Sequence, residues 1–377
     1  MGAEKKWLFT LFSTTIFSIL LLLLYSISVF SSPRLFPSLV QHGLHSPPAF
    51  AYYLFGGKGD KDRIFRLLLA VYHPRNRYLL QLGADASDEE RYRLVLALKS
   101  VPAIRSFENV DVIGKPDRFS SMGSTHIAAT LHAAAMLMKL DRGWDWFIAL
   151  SALDYPLVTQ DGFDLEKCLI LDLHVLDLVG ITFSFLVVFV ISDLSHVFSS
   201  VRRDLNFIDH TSDLGWKEDQ RVLPIVVDPG IYLARRTKIF HATQKRLMPD
   251  AFKVFTGKNT TVNGDLRYMI WDSPPKTEPH FLNGSDYDQM AQSGAAFARQ
   301  FQKDDPVLDM IDEKILKCGR NRAVPGAWCT GRRSWWVDPC SQWGDVNVLK
   351  PGPQAKKLEE TILNLLDDWN SQSNQCT

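Results

Sequence analysis

Near its start the chain has a predominantly apolar stretch at residues 7–30, which contains no charged side chain. An α-helix needs roughly 20 such residues to cross the hydrocarbon core of a bilayer. Lys5 and Lys6 precede the stretch, and a short basic tail favours a cytoplasmic N-terminus. A cleaved signal peptide is the alternative, although its apolar region usually has only about 7–15 residues. The pattern predicts a cytoplasmic tail at residues 1–6 and an uncleaved transmembrane anchor at 7–30.

Beyond a Ser-, Pro- and His-rich stem at residues 31–49, apolar runs typical of buried strands alternate with runs at helical spacing. Ser87 and Glu90 have the spacing of a capping box before one of these helices. The order predicts βαβ units and a mostly parallel sheet with flanking helices, which is an α/β fold. The predicted strands cover residues 50–55, 78–82, 110–113 and 146–150, and the predicted helices lie around residues 64–71, 92–98 and 124–140.

The segments that follow the predicted strands contain most of the candidate chemistry. In open α/β sheets, ligands bind beyond the carboxyl ends of the strands. Glycines there let backbone N–H groups approach phosphate oxygens, and lysines add positive charge. Ordinary βα turns also need glycine, so a nucleotide site and simple turns both remain open. The spacing matches neither a P-loop nor a dinucleotide fingerprint, which argues against a kinase and an NAD-dependent oxidoreductase.

Two Asp-x-Asp tripeptides raise the question of a metal ion. In many glycosyltransferases such a pair holds Mg²⁺ or Mn²⁺ against a diphosphate. Asp60 and Asp62 stand where a helix is predicted to begin, and carboxylates there interact favourably with the helix dipole. We favour this structural role for them, and also for Asp286 and Asp288. No His/Cys cluster in the sequence has zinc spacing, so no metal site is predicted.

Charge and cysteine content narrow the possible partners and compartments. The 42 basic and 42 acidic side chains balance, which gives no reason to expect a nucleic acid. Five cysteines are too few for a disulfide scaffold. Cys329 and Cys340 either pair, if the body lies in an oxidising lumen, or remain free buried thiols. Glycosylation sequons at Asn259 and Asn283 fit a luminal body.

The C-terminal part contains a tryptophan cluster and a final amphipathic helix. Aromatic faces serve both as sugar platforms and as core, and core packing is the favoured interpretation of the cluster. The cluster consists of Trp328, Trp335, Trp336 and Trp343. A helix within residues 353–377 is predicted to dock on the body through one apolar face. That face contains Leu358, Ile362, Leu365, Leu366 and Trp369.

Several long blocks resemble the core-2/I-branching glycosyltransferases, family 14, and particularly its plant β-glucuronosyltransferases. The resemblance covers most of residues 50–352. It implies a single-pass type II Golgi enzyme with a GT-A-like luminal domain, which transfers sugar with inversion and without a metal. The donor would be UDP-glucuronic acid, and the acceptor would be β-galactan chains of arabinogalactan proteins. Among the matching blocks are FAYYLFGGKGDKDRIFRLLLAVYHPRNRYLLQL, DWFIALSALDYPLVTQD, VVDPGIYLARRTKIF and SGAAFARQFQKDDPVLDMID.

The resemblance also implies that basic side chains, and no cofactor, offset the charge of the donor diphosphate. Arginine binds phosphate through two N–H groups, and lysine acts as a point charge. Relatives commonly carry lysine where Gln300 stands here. The predicted donor-binding residues come from the strand ends and from the FARQF block: Gly56, Gly57, Lys58, Asp154, Arg299 and Lys303.

Two departures from the family pattern affect the expected activity. Residues 162–192 interrupt a block that is continuous in the family, and they include an apolar run too short to span a bilayer. They are interpreted as a retained intron or gene-model error, with a second membrane-associated segment as the rival. After Gly257 a family segment is missing, and with it the Glu that acts as catalytic base. The chain as written is expected to fold poorly or be inactive, and a non-catalytic membrane-anchored binding protein is the alternative function.

Overall fold

The computed structural model describes a large part of the body. The predicted anchor, most of the stem, the insert at residues 162–192, Gly257, Asn259, Trp335 and Trp336 lie outside the described residues. Among the residues that the structure describes, no helix is both long enough and apolar enough to cross a membrane. The described residues are 40–41, 46–114, 116, 124–160, 194–208, 225–226, 239–240, 260–264, 266–274, 278–319, 322–329, 340, 342–348 and 353–373.

A four-stranded parallel sheet forms the centre of the body, with strand order β3-β2-β1-β4. Every neighbouring pair is parallel, which confirms the mostly parallel α/β fold and is consistent with a GT-A-like arrangement. The first five residues of β1 are all buried, as expected for an inner strand covered on both faces. The strands are β1 (Phe50–Gly56), β2 (Arg77–Leu82), β3 (Val110–Val112) and β4 (Trp146–Ser151).

Helices connect these strands, as a parallel sheet requires. The apolar spacing predicted three of them, whereas the short helix α3 had no predicted counterpart. Pro102 stands in the first turn of α3, where its missing N–H costs no hydrogen bond. The helices are α1 (Lys61–Ala70), α2 (Asp88–Ser100), α3 (Pro102–Phe107) and α4 (Ser124–Leu140).

A second, three-stranded sheet has the order β10-β11-β5 and lies at the carboxyl end of β4. Its strands are β5 (Asp154–Pro156), β10 (Arg267–Tyr268) and β11 (Phe297–Arg299). β11 runs parallel to β10 and antiparallel to β5, and this register places Arg299 opposite Asp154. Two residues far apart in sequence are thereby brought to the edge where ligands bind.

The remaining elements are shorter or lie on the outside. Parallel strands β6 and β9 form one pair, and antiparallel strands β7 and β8 form another. The elements are α5 (Leu194–Ser200), β6 (Asn206–Ile208), β7 (Ile225–Val226), β8 (Ile239–Phe240), β9 (Thr261–Asn263), α6 (Tyr287–Gln292), α7 (Pro306–Lys314) and α8 (Pro353–Ser373).

Aromatic side chains form much of the main core. Tyr78 stacks on Tyr52 and on Tyr72, with ring centroids 5.3 and 5.6 Å apart. Trp328 is buried against Tyr72, so the favoured core role of this tryptophan is confirmed. The structure joins Cys329, the next residue, to Cys340 by a disulfide. These contacts fasten the C-terminal part of the body to its first βαβ unit.

Helix α8 docks on the body through the apolar face that its sequence predicted. Leu358 and Ile362 are buried, and Leu365, Leu366 and Trp369 pack against the same core while partly exposed. Helix α8 is near α5 and β9. The C-terminal helix is therefore an integral part of the body.

Candidate functional site

The loop after β1 holds two of the predicted donor-binding residues, Gly57 and Lys58, and carboxylates already accept from two of its backbone amides. Gly57 N–H donates to Asp60 Oδ2 at 2.9 Å. Glu90 Oε1 accepts from Gly59 N–H at 2.9 Å and from Lys61 N–H at 3.4 Å. These amides are thus engaged by the protein itself rather than presented to a phosphate.

The same contacts correct the predicted capping box. Ser87 Oγ accepts from Glu90 N–H at 3.1 Å, as predicted. In a capping box the Glu90 side chain would in turn accept from the backbone N–H of Ser87. Here the Glu90 side chain accepts instead from Gly59 N–H, in the loop after β1. Glu90 therefore ties the start of α2 to the start of α1.

Gly56 is required by packing at the end of β1. A Cβ at this position would stand 2.8 Å from Asp60 Cβ and 3.0 Å from Ala152 Cβ. Gly83 N–H donates to Gly56 O at 2.7 Å, so the ends of β1 and β2 are in direct contact. The close approach of three chain segments explains the glycine at residue 56. Lys58, two residues on, is exposed at the surface.

The centre of the candidate site is the pair formed by Arg299 and Asp154. Arg299 Nη1 is 3.3 Å from Asp154 Oδ1 and 3.1 Å from Ser151 Oγ, and Nη2 is 3.8 Å from Glu278. Asp154 is buried, and its second oxygen accepts from Ser151 N–H at 2.6 Å. The arginine side chain keeps 27% of its surface exposed. Asp154 therefore anchors a guanidinium that has further N–H groups to offer a ligand.

A cavity of about 300 Å³ opens beside this pair. Asp154 and Lys303 both line it, so the structure brings these two predicted residues to one place. The other four predicted donor-binding residues, Gly56, Gly57, Lys58 and Arg299, are not among its lining residues. The lining also includes Arg63 and Arg66 from α1, which the sequence analysis did not single out. Their i, i+3 spacing on a helix was the available signal, because it places both arginines on one face.

A buried ionic network supports the wall of this first cavity. Arg66 Nη2 is 2.7 Å from Asp309 and 2.7 Å from Asp312, and Tyr155 OH donates to Asp312 at 2.6 Å. Burial raises the pKa of the Asp312 carboxyl, while the Tyr155 hydrogen bond and the Arg66 charge act in the opposite direction. The network joins α1, β5 and α7, and so holds Asp154, the neighbour of Tyr155, in place.

His126 is another neighbour of the site that sequence reasoning missed. It lies in the first turn of α4, with its ring centroid 4.9 Å from that of Phe55 at the end of β1. Burial lowers its pKa, and the positive charge of Arg299 lowers it further. The imidazole is therefore held neutral at neutral pH.

Three carboxylates of the two Asp-x-Asp tripeptides make local contacts within the protein. Asp60 precedes α1 and accepts from Gly57, whereas Asp62 pairs with Lys61 at 2.7 Å. Asp286 completes a capping box with Asn283, which is a predicted glycosylation site. In the described part of the chain, no group of three or more His, Cys, Asp or Glu side chains is arranged to hold a metal ion.

Comparison with known proteins identifies the family. The sequence model of the core-2/I-branching enzymes matches residues 50–170 and 184–262, which is more than half of the chain. The chain belongs to this glycosyltransferase family. It is 38% identical over 399 residues to the β-glucuronosyltransferase GlcAT14A of Arabidopsis thaliana, covering 93% of this chain and 82% of that protein. It is also 38% identical to GlcAT14B and 36% identical to GlcAT14C of that plant, covering 80% and 85% of those proteins.

The resemblance drawn from the sequence blocks is thereby confirmed. Two details of the family comparison bear on the departures described above. The match breaks between residues 170 and 184, within the interval 162–192. The comparison with GlcAT14A extends over 399 residues, which is more than the 377 of this chain. GlcAT14A therefore contains sequence that has no counterpart here.

Proposed function

We propose that this chain has the scaffold of a β-glucuronosyltransferase, with UDP-glucuronic acid as donor and β-galactan chains of arabinogalactan proteins as acceptor. The observation that carries the proposal is the Arg299–Asp154 pair at the carboxyl end of the sheet. The identity of 36–38% to three β-glucuronosyltransferases supports the choice of donor.

Side chains bind the donor diphosphate in this proposal. Arg299, which contacts the cavity residue Asp154, offers N–H groups in a planar fork that suits a phosphate. Lys303 adds a compact positive charge on the wall of the cavity that Asp154 also lines. The backbone amides after β1 contribute less, because Asp60 and Glu90 already accept from them. The cationic side chains take the role that a divalent ion has in other glycosyltransferases.

The proposed reaction is an inverting transfer. An acceptor hydroxyl attacks the anomeric carbon of the donor in line, a carboxylate base takes the hydroxyl proton, and UDP leaves. The Glu expected to act as base falls in the segment missing after Gly257, and we assign the role to no residue of this chain. The chain as written then binds its donor without turnover.

A second candidate function follows from the segment missing after Gly257. A chain that keeps the donor-binding side chains and lacks the base is a non-catalytic binding protein anchored in the membrane. The extra sequence in GlcAT14A favours this alternative for the chain as written, because it supports the loss of a family segment here.

We place the protein in the Golgi membrane as a single-pass type II protein with a luminal body. The charge-free stretch at residues 7–30 and the two preceding lysines support this orientation. The disulfide between Cys329 and Cys340 supports an oxidising compartment. The sequons at Asn259 and Asn283 fit the same location.

Two chains test the proposal. One is the chain as written, and the other lacks residues 162–192 and has the family segment restored after Gly257. Each is titrated with UDP in the presence of a chelator, and each is assayed for glucuronosyl transfer to a β-galactan. We expect both to bind UDP and only the second to transfer sugar. Equal transfer by both chains would contradict the loss of the base, and no UDP binding by either would refute the proposed donor site.

A further inference from the structure

A second cavity, of about 600 Å³, is lined in part by Glu278. Arg299 lines neither cavity, but its guanidinium lies near one lining residue of each. Its Nη1 contacts Asp154, which lines the first cavity, and its Nη2 is 3.8 Å from Glu278, which lines the second. A ligand in the second cavity is therefore close to the group that we propose for the donor diphosphate.

The second cavity is lined mainly by hydrogen-bond acceptors. Asp272, Glu278 and Asp305 contribute carboxylates, and none of the lining residues is Lys or Arg. Asp272 also holds His280, with Oδ1 and Nδ1 2.9 Å apart. Ionised carboxylates accept hydrogen bonds and donate none. The lining thus favours a ligand with several donor groups and disfavours an anion.

Gln300 is another polar residue of the second cavity. The side chain is only 2% exposed, and its Nε2 donates to Pro279 O at 2.7 Å. The side chain also lines the second cavity, and its carboxamide oxygen adds a hydrogen-bond acceptor to the lining.

One exposed aromatic side chain lines the cavity, and a second precedes a lining residue in the sequence. Phe281 lines it and is 40% exposed, and Trp271, adjacent to Asp272, is 52% exposed. Aromatic rings that remain exposed beside acceptors suit a molecule with one apolar and one hydroxylated side. The three carboxylates are not a metal centre, since the described residues contain no group of three potential ligands arranged for one.

We propose that this second cavity binds the neutral sugars of the acceptor glycan. The hydroxyl groups donate to the carboxylates and to the Gln300 oxygen, and the C–H face of a ring packs on Phe281 and Trp271. The inference rests on the proposed function, which supplies a neutral galactan as acceptor. It also accounts for product release, because a glucuronate added to the glycan brings a negative charge next to Glu278 and Asp305.

The test is a calorimetric titration of the full chain with β-1,3-linked galactotriose. The variants are Phe281→Ala and Trp271→Ala, and the matched control is Tyr92→Ala, an aromatic on α2 that is 58% exposed. We expect each of the first two to weaken galactotriose binding by about tenfold and the control to leave it unchanged. Each protein is prepared with and without N-linked glycans, because Asn283 also lines the cavity.

A second titration, with UDP, separates the two proposals. UDP affinity is expected to be the same in all four proteins, since neither aromatic lines the first cavity. If the unmodified chain binds UDP but not galactotriose, or if Phe281→Ala and Trp271→Ala bind galactotriose as the control does, the second cavity is not an acceptor site. If the unmodified chain binds neither ligand, the proposed function fails as well. In a further variant, Glu278→Gln is expected to improve binding of a glucuronate-terminated trisaccharide, because it removes one repelling charge.

Discussion

The backbone N–H of Leu194 donates to the carbonyl oxygen of Thr159 at 3.2 Å, although residues 162–192 lie between them in the sequence. Thr159 lies shortly after the end of β5, and Leu194 is the first residue of α5. The described residues on the two sides of the insert are therefore adjacent. An insertion with adjacent ends disturbs the surrounding packing little.

Deletion of residues 162–192 is expected to preserve the fold. It would leave Thr159 and Leu194 with the i, i+4 spacing of a helical hydrogen bond, so the observed contact needs no rearrangement. Thermal unfolding followed by circular dichroism should give a midpoint equal to or higher than that of the full chain. As a control, a deletion that extends through Ser200 also removes buried Leu194, Val197 and Phe198 and should abolish cooperative unfolding. Loss of cooperativity in the shorter deletion would contradict the prediction.

Replacing Arg299 with Met is expected to weaken UDP binding by about tenfold to a hundredfold, because hydrogen bonds to charged groups each contribute about 1.5–3 kcal/mol. Arg299→Lys should recover part of the loss, since lysine keeps the charge but not the planar fork. The UDP affinities of Arg299→Met and Arg299→Lys are measured by calorimetric titration. Arg93→Met is the matched control, because Arg93 forms an exposed pair with Glu89 on α2. An affinity for UDP that is insensitive to Arg299→Met would exclude the guanidinium from the donor site.

Replacing Arg66 with Met should destabilise the protein in a pH-dependent way. Burial already raises the pKa of Asp312, and loss of the Arg66 charge removes one of the opposing effects. A carboxyl with a raised folded-state pKa contributes stability at low pH, and this contribution is lost as the pH rises through the folded value. The loss of unfolding free energy should therefore be small near about pH 4 and reach about 3 kcal/mol at pH 7.

Urea unfolding at several pH values measures this effect. The double variant Arg66→Met, Asp312→Asn lacks the titrating group, so its destabilisation relative to the single variant Asp312→Asn should vary little with pH. If Arg66→Met destabilises the protein equally near about pH 4 and at about pH 7, Arg66 acts through packing alone.

Reduction of the disulfide between Cys329 and Cys340 is expected to lower the free energy of unfolding by about 3 kcal/mol, because the link closes a short loop in the unfolded chain. Thermal unfolding with and without dithiothreitol measures the change. Cys340→Ala should abolish the effect of the reductant, whereas Cys318→Ala, outside the disulfide, should leave it intact. Equal midpoints for the oxidised and reduced protein would refute the prediction.

The centre of the main sheet could be predicted from the sequence because its inner strands, β1 and β2, are almost fully buried. Such strands appear as continuous apolar runs, and β1 has five consecutive buried residues. The second sheet could not be predicted in this way. Strands β5, β10 and β11 have only two or three residues each, and the pairing of Arg299 with Asp154 joins distant parts of the chain. Local periodicity contains no information about such contacts.

The candidate site was predictable in part for a related reason. Asp154 follows a predicted strand, and Arg299 and Lys303 lie in a block shared with the family, so residue type and position both pointed to them. The pattern could not reveal that Glu90 occupies the amides of the loop after β1. A capping-box spacing indicates where a helix begins, but it does not determine which group hydrogen-bonds to the side chain of its last residue, here Glu90.

The contact between Glu90 and the loop after β1 leaves diphosphate affinity to side chains in the proposed donor site. A phosphate cradle built from main-chain amides can be altered only by rebuilding the turn. Here Glu90 accepts from the amides of Gly59 and Lys61, and the proposal assigns the diphosphate to Arg299 and Lys303. Affinity set by two side chains can be strengthened or weakened by single substitutions at constant backbone, which would make this scaffold a practical starting point for engineering transferases that bind their donor more or less tightly.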